Sequence, residues 1–251
     1  MKSGNGSLNA PSDTLPLSVV LPVYNEEACI EGVLRELHGV LLGMGRPFEI
    51  LAVNDGSSDG TRAILAALVP VLPGLRVLTL VPNSGQSAAM GAGFRNARGE
   101  VVVAMDSDGQ NDPADIPALL ARLEGCDVCC GYRMNRQDTW SKRAGSRFAN
   151  AIRRFFLKDG IRDTGCSLKA FKAWVVRDLP LELKGMHRFL PALALMRGAR
   201  LEQSPVHHRA RSAGVSKYTN MGRLAKTVSD LLAVSWMRSR YKRFEVRAEC
   251  E

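Results

Sequence analysis

The hydrophobic positions of the chain fall into short apolar runs alternating with stretches of helical spacing. Residues 17–23 form an apolar run, with Ser18 its one polar member, closing in Pro22-Val23, the pattern of a strand buried on both faces. Ile30, Val33, Leu34, Leu37 and Leu41 follow at steps that share one face of a helix. A second run, residues 48–53, precedes a helix carrying Ile64, Leu65 and Leu68, for which Ser58 or Asp59 is a suitable N-cap. A third run, residues 75–81, leads to a small-residue helix reaching Ala97, and a fourth begins at Val101. Four strands separated by helices predict an α/β fold, a mostly parallel sheet with helices on both faces.

Each predicted strand runs into a polar segment at its carboxyl end. In order these are Tyr24-Asn25-Glu26-Glu27, Asn54-Asp55-Gly56-Ser57, Asn83-Ser84-Gly85-Gln86 and Asp106-Ser107-Asp108-Gly109-Gln110. Open α/β sheets bind ligands at that edge, so Tyr24, Glu26, Asp55 and Asp106 are expected along one rim. The fourth segment carries the most chemistry. Asp106, Asp108 and Gln110 share parity, and in an extended chain their side chains would leave the same side. Two carboxylates on one face repel unless a cation lies between them, and hard oxygen ligands suit Mg²⁺ or Mn²⁺. An acidic turn after a strand is the plainer alternative, because Asp-Gly and Asn-Asp-Pro are good turn sequences. Gly91-Ala92-Gly93 is no dinucleotide fingerprint, since no third glycine falls at the needed step.

Charge changes the picture of the second half. The 251 residues carry a net charge of +9, which points to anionic partners: nucleic acid, an anionic membrane surface or phosphorylated substrates. An aromatic content of 6%, without a basic-aromatic platform, argues against nucleic acid. Between residues 141 and 158, Arg143, Arg147, Arg154 and Lys158 form a stripe of one sign beside an apolar stripe containing Phe148, Ile152 and Phe155. That stripe reads equally as a solvated face or as a site for phosphate or anionic lipid. Residues 206–218 have the Gly, Ser and cationic content of a phosphate-binding loop, and the adjacent His207 and His208 are taken as structural. In residues 221–244, Leu224, Val228, Leu231 and Leu232 share one side, with basic residues and Trp236 around them. This is the profile of a helix lying in a membrane interface, or of one docking a partner subunit.

No stretch of about 20 apolar residues is present, so no membrane span is expected. Six cysteines without paired spacing suggest free thiols in a reducing compartment, and Cys126 and Cys129 read as core or strand residues rather than a metal site. The expected layout is a disordered leader over residues 1–16, a catalytic domain over 17–220, and a basic amphipathic tail over 221–251.

The motifs Leu21-Pro22-Val23-Tyr24-Asn25-Glu26, Val53-Asn54-Asp55-Gly56-Ser57 and Asp106-Ser107-Asp108-Gly109-Gln110 resemble, in order, those of family 2 glycosyltransferases with the GT-A fold. Asn83-Ser84-Gly85-Gln86, Gly131-Tyr132-Arg133, Arg162-Asp163-Thr164-Gly165-Cys166 and Arg209 through Ser216-Lys217-Tyr218 extend the likeness to the polyprenyl-phosphate glycosyltransferases, over about residues 17–220. The resemblance implies an inverting transfer of a sugar from a UDP- or GDP-linked donor to a polyprenyl phosphate. Pro22, Tyr24, Glu26 and Asp55 would then hold the base and ribose, with Gln86, Asp106, Ser107 and Lys217 also on the donor. Asp106, Asp108 and Gln110 would bind Mg²⁺ or Mn²⁺. Arg133, Arg143 and Arg147 would hold the acceptor phosphate, and Arg209 and Lys217 would close over the donor phosphates. The catalytic set implied is Asp108, Arg133 and Arg209. Such an enzyme would be cytoplasmic and peripheral, on an anionic membrane surface or a membrane partner subunit. Many relatives carry transmembrane helices after the catalytic domain, which this chain lacks, and Asn54 stands where many have Asp. A family 2 enzyme with a soluble or other lipid acceptor, and a catalytically silent nucleotide-sugar-binding scaffold, are the competing readings.

Overall fold

The structure is a computed structural model and describes residues 15–134, 157, 160–209 and 220–242, with side chains in the last segment from residue 229 onward. Among these, seven strands form one sheet in the order β3-β2-β1-β4-β6-β5-β7. The strands are β1 (Leu15–Val23), β2 (Phe48–Asn54), β3 (Leu75–Thr79), β4 (Gly99–Ala104), β5 (Val128–Arg133), β6 (Lys169–Lys172) and β7 (Leu201–Val206). β1 pairs in parallel with both β2 and β4, β2 with β3, and β5 with β7. The short β6 is inserted antiparallel between β4 and β5. The expected mostly parallel sheet is therefore present, with one reversed strand that periodicity over four residues does not reveal.

The helices between the first strands are α1 (Ile30–Gly43), α2 (Thr61–Leu68), α3 (Gln86–Asn96) and, after β4, α4 (Ile116–Leu123). Because successive strand residues face opposite sides, the central strands feed two separate cores. Leu17, Val19, Leu21, Val103 and Met105 face α1, α2 and α4. Val20, Val53, Val102 and Ala104 face α3 and the 173–199 segment, with Leu231 and Val234 of the terminal helix Asn220–Arg240 in the same cluster. The small residues of α3 allow close approach: a Cβ on Gly93 would run into Val20 Cγ1 and lie 3.2 Å from Val53 Cγ2. Phe94 and Phe171 pack in the same core, their ring centroids 6.0 Å apart.

Several boundaries differ from the sequence pattern. The first strand begins at Leu15, inside the span expected as a leader, and the fourth at Gly99 rather than Val101, because pairing with β1 extends both. The third strand stops at Thr79 rather than Val81, ahead of a cis Val81–Pro82 bond. The N-cap of α2 is Gly60, although Asp59 Oδ1 still accepts the Thr61 amide at 3.0 Å. Cys126 and Cys129 are buried, as their apolar neighbours predicted. The crossover from β3 through α3 returns to the far side of β1, so the direction of winding reverses between β1 and β4. In open sheets such a reversal opens a crevice at the strands' carboxyl ends.

Candidate active site

The polar segments that follow β1 to β4 are tied into one continuous rim. Asn25, whose φ of 54° lies in the left-handed region, accepts the Ser58 amide on Oδ1 at 2.8 Å, and its own amide donates to Ser57 Oγ at 3.0 Å. The Glu26 amide donates to Thr61 Oγ1 at 2.9 Å, and Glu27 Oε2 accepts from the Gly60 amide at 2.7 Å. These bonds join the β1 and β2 ends. Tyr24 is exposed beside them.

Asp55 makes the next link. It is buried, and its carboxylate accepts from Ser84 N at 2.7 Å, Gly85 N at 2.8 Å and Asn83 Nδ2 at 3.0 Å. A carboxylate that accepts several N–H groups fixes their positions, so Asp55 sets the entry to α3. The first residue of α3, Gln86, then donates from Nε2 to Asp106 Oδ1 at 2.9 Å. Ser107 is buried and donates to the Pro22 carbonyl at 2.8 Å, tying the β4 end back to β1 across the reversal point. Pro22 and Ser107 thus shape the crevice floor through this bond.

The acidic segment does not stay extended. β4 ends at Ala104, Gly109 has a φ of 75°, and Asp108 Oδ1 accepts from the Gln110 amide at 3.1 Å. Shared parity therefore does not set the directions of Asp106, Asp108 and Gln110; a turn does. Burial, followed by repulsion from Asp108, pushes the Asp106 carboxyl above the ordinary carboxylate range, with Ser167 and Lys169 opposing the shift. A site that disfavours a second negative charge in this way gains by adding a cation. Among the described residues no three His, Cys, Asp or Glu side chains converge on one metal position. Two carboxylates and an amide oxygen, from Asp106, Asp108 and Gln110, nevertheless fit a hard divalent cation that completes its shell with water or phosphate oxygens.

The chain after β7 lies over this turn. His208 forms a bridge with Asn111, its Nε2 lies 3.4 Å from Gln110 Nε2, and the Arg209 amide donates to the Gln110 carbonyl at 2.9 Å. His207 is fixed by Asp115, whose Oδ1 is 2.8 Å from Nδ1 and raises the imidazole pKa. The Arg209 guanidinium reaches Glu36 at 2.8 Å and Asp112 at 2.8 Å. Arg133 forms a two-bond pair with Asp163, Nε to Oδ2 at 2.6 Å and Nη2 to Oδ1 at 2.9 Å, joining two of the motifs that follow the acidic turn. Arg143, Arg147 and Lys217 lie outside the described residues.

Three polar groups on the α3 side, Ser87 and Lys169 buried and His187 half-buried, were not singled out from sequence. Ser87 Oγ is 2.7 Å from His187 Nδ1, and burial, then the charges of Arg188 and Lys169, push that imidazole down to about 4. Lys169 is buried at the head of β6. A lysine within an apolar run (Leu168-Lys169-Ala170-Phe171) is the one local signal that could have marked it; Ser87 and His187 carry none.

A mostly parallel sheet with an acidic, hydrogen-bonded segment at its reversal point defines an open α/β protein with a ligand-binding edge at the strands' carboxyl ends. The family model of glycosyl transferase family 2 matches residues 18–182, and the chain belongs to that family. It is a glycosyltransferase. It is 35% identical over 240 residues to dodecaprenyl-phosphate galacturonate synthase of Rhizobium johnstonii, covering 93% of this chain and 70% of that protein. Undecaprenyl-phosphate 4-deoxy-4-formamido-L-arabinose transferase of Enterobacter sp. is 36% identical, with 86% of this chain and 66% of that protein covered. Among solved structures, glucosyl-3-phosphoglycerate synthase from Mycobacterium tuberculosis in complex with Mn²⁺, UDP and glucosyl-3-phosphoglycerate aligns with a TM-score of 0.64 at 21% identity, over 91% of this chain and 81% of that one. S. aureus TarS in complex with UDP-GlcNAc aligns with a TM-score of 0.62 at 20% identity, over 89% and 67%. These likenesses establish the GT-A fold.

Proposed function

We propose that the protein transfers a sugar, with inversion, from a nucleotide sugar to the phosphate of a polyprenyl carrier. The observation that carries this is the hydrogen-bonded rim from Tyr24 to Gln110, in a chain whose curated relatives are named for polyprenyl-phosphate sugar products. In this reading Tyr24, Glu26 and the Asp55-held loop border the base and ribose. Asp106, Asp108 and Gln110 hold Mg²⁺ or Mn²⁺ against the donor diphosphate. When bound, the cation supplies charge stabilisation as the diphosphate leaves.

The residues themselves orient the donor and limit what else can react. Gln86 keeps Asp106 turned into the crevice, and Arg133, set by Asp163, offers a cation for the acceptor phosphate together with Arg143 and Arg147. A phosphomonoester, with its second pKa near ~6, is largely ionised at neutral pH and needs orientation more than deprotonation. No side chain is therefore required to take a proton from it.

The terminal helix supports a peripheral position at the cytoplasmic face of a membrane. Its inner side packs through Leu231 and Val234, whereas Leu232, Trp236 and Tyr241 are exposed near Arg240 and Lys242. Among the described residues no helix is long and apolar enough to cross a membrane. The test is sugar transfer to undecaprenyl phosphate with Mn²⁺ or Mg²⁺ across UDP- and GDP-sugars. Lipid-linked product that disappears with EDTA, and with Asp108→Ala in a folded protein, is the expected outcome. Donor hydrolysis without lipid product would discard the polyprenol, and turnover by Asp108→Ala would discard the metal assignment.

A further inference from the structure

Lys169 is 2% exposed and opens the strand that pairs with the end of β4, where the acidic turn begins. β6 places it opposite Ala104 of β4 and Cys130 of β5, and directly opposed residues of paired strands share a face. Ala104 and Cys130 both face the α3 core, so the Lys169 stem does too. Asp106 follows Ala104 by two residues, while the intervening Met105 faces the other core. The ammonium donates to the Cys166 carbonyl, and among the described residues no carboxylate pairs with it at salt-bridge distance. Ser167, two residues before Lys169, donates to Asn111 Oδ1 at 2.7 Å, and the same oxygen accepts the Asp106 amide at 3.1 Å, so the entry to β6 is tied to the acidic turn. A buried cation held by one carbonyl is costly unless negative charge is gathered nearby. Here the acidic group placed nearest along the pairing is Asp106, two residues beyond the Ala104 that Lys169 opposes.

We propose that Lys169 is the built-in counter-charge of the acidic rim, tuning it to bind a divalent cation together with a diphosphate rather than a cation alone. The proposal rests on the donor-binding part of the function above. Without Lys169 the rim is one unit more negative. It should then hold a bare cation more tightly and repel the two phosphates of the donor. A residue that only supports the fold would change both affinities in the same direction, whereas a counter-charge changes them in opposite directions.

The experiment compares wild type, Lys169→Met and Lys169→Arg by calorimetry: Mn²⁺ alone, then UDP or GDP at saturating Mn²⁺. For Lys169→Met, Mn²⁺ should bind several-fold tighter and the nucleoside diphosphate roughly tenfold weaker, the scale of one charge acting through protein at short range. Lys169→Arg should restore the diphosphate affinity. Methionine matches the lysine stem but leaves Asp106 without its counter-charge, so the variant should melt below wild type in the absence of Mn²⁺, and the affinities are compared at a temperature where all three proteins are folded. Parallel weakening of both ligands, or no change in either, would overturn the proposal. Mn²⁺ binding without UDP or GDP binding by the wild type would instead remove the nucleotide reading. The Mn²⁺ affinities of the variants would still judge Lys169.

Discussion

Replacing Asp55 with Ala tests whether the crevice is held open by its own hydrogen bonds. The carboxylate is 3% exposed and accepts from two amides and one side-chain amide at 2.7–3.0 Å. Each such bond to a charged group contributes about 1.5–3 kcal/mol. The three do not sum, because Asn83 and Ser84 are exposed and their N–H groups regain water when the acceptor is removed. The expected net loss is about 2–3 kcal/mol, read from urea unfolding. Asp55→Asn should cost about 1–2 kcal/mol, since its amide nitrogen sets donor against donor at Gly85 or Asn83. The functional readout is nucleotide affinity. Freeing the Asn83–Gly85 loop releases Gln86 from Asp106, so UDP or GDP binding in the presence of Mn²⁺ should weaken in both variants. Stability within about 0.5 kcal/mol of wild type for Asp55→Ala would refute this account of the rim.

Elsewhere in the fold, Asp163→Asn leaves Arg133 without its carboxylate in a setting where the two side chains are 17% and 8% exposed. It should lower stability by about 3 kcal/mol in chemical denaturation, and an unchanged midpoint would show the pair to be inert. Gly93→Ala forces a methyl into Val20 and Val53. It should destabilise by about 1–3 kcal/mol despite the better helix propensity of alanine, and a stabilised variant would contradict the packing. The His207–Asp115 bond raises the imidazole pKa above its ordinary value near 6.5. Its stabilisation is then complete below that value and lost as pH rises through the folded-state pKa. The stability difference between wild type and His207→Gln should accordingly shrink from pH 6 to pH 8.5, and a difference that grows would reverse the assignment.

The alternation of four strands with helices in the first half was legible in the residues alone, and so was the edge that carries Tyr24, Glu26, Asp55 and Asp106. Those features are local, because the period of apolar residues and the polar segment at each strand end lie within one stretch of chain. The basic stripe at Arg143 and Arg147 is equally local as a pattern, and it falls outside the described residues. Whatever depends on neighbours distant in sequence was settled by the folded chain instead. Crossover direction placed β4 beside β1 and opened the crevice between them, which no local pattern encodes. The reversed insertion of β6 set Lys169 opposite Ala104, two residues before Asp106, because strand partners are chosen by pairing across the sheet rather than by periodicity. Asp55 turned onto the Asn83–Gly85 loop, and the acidic segment bent at Gly109, since a carboxylate's direction follows the donors around it and not its parity along the chain.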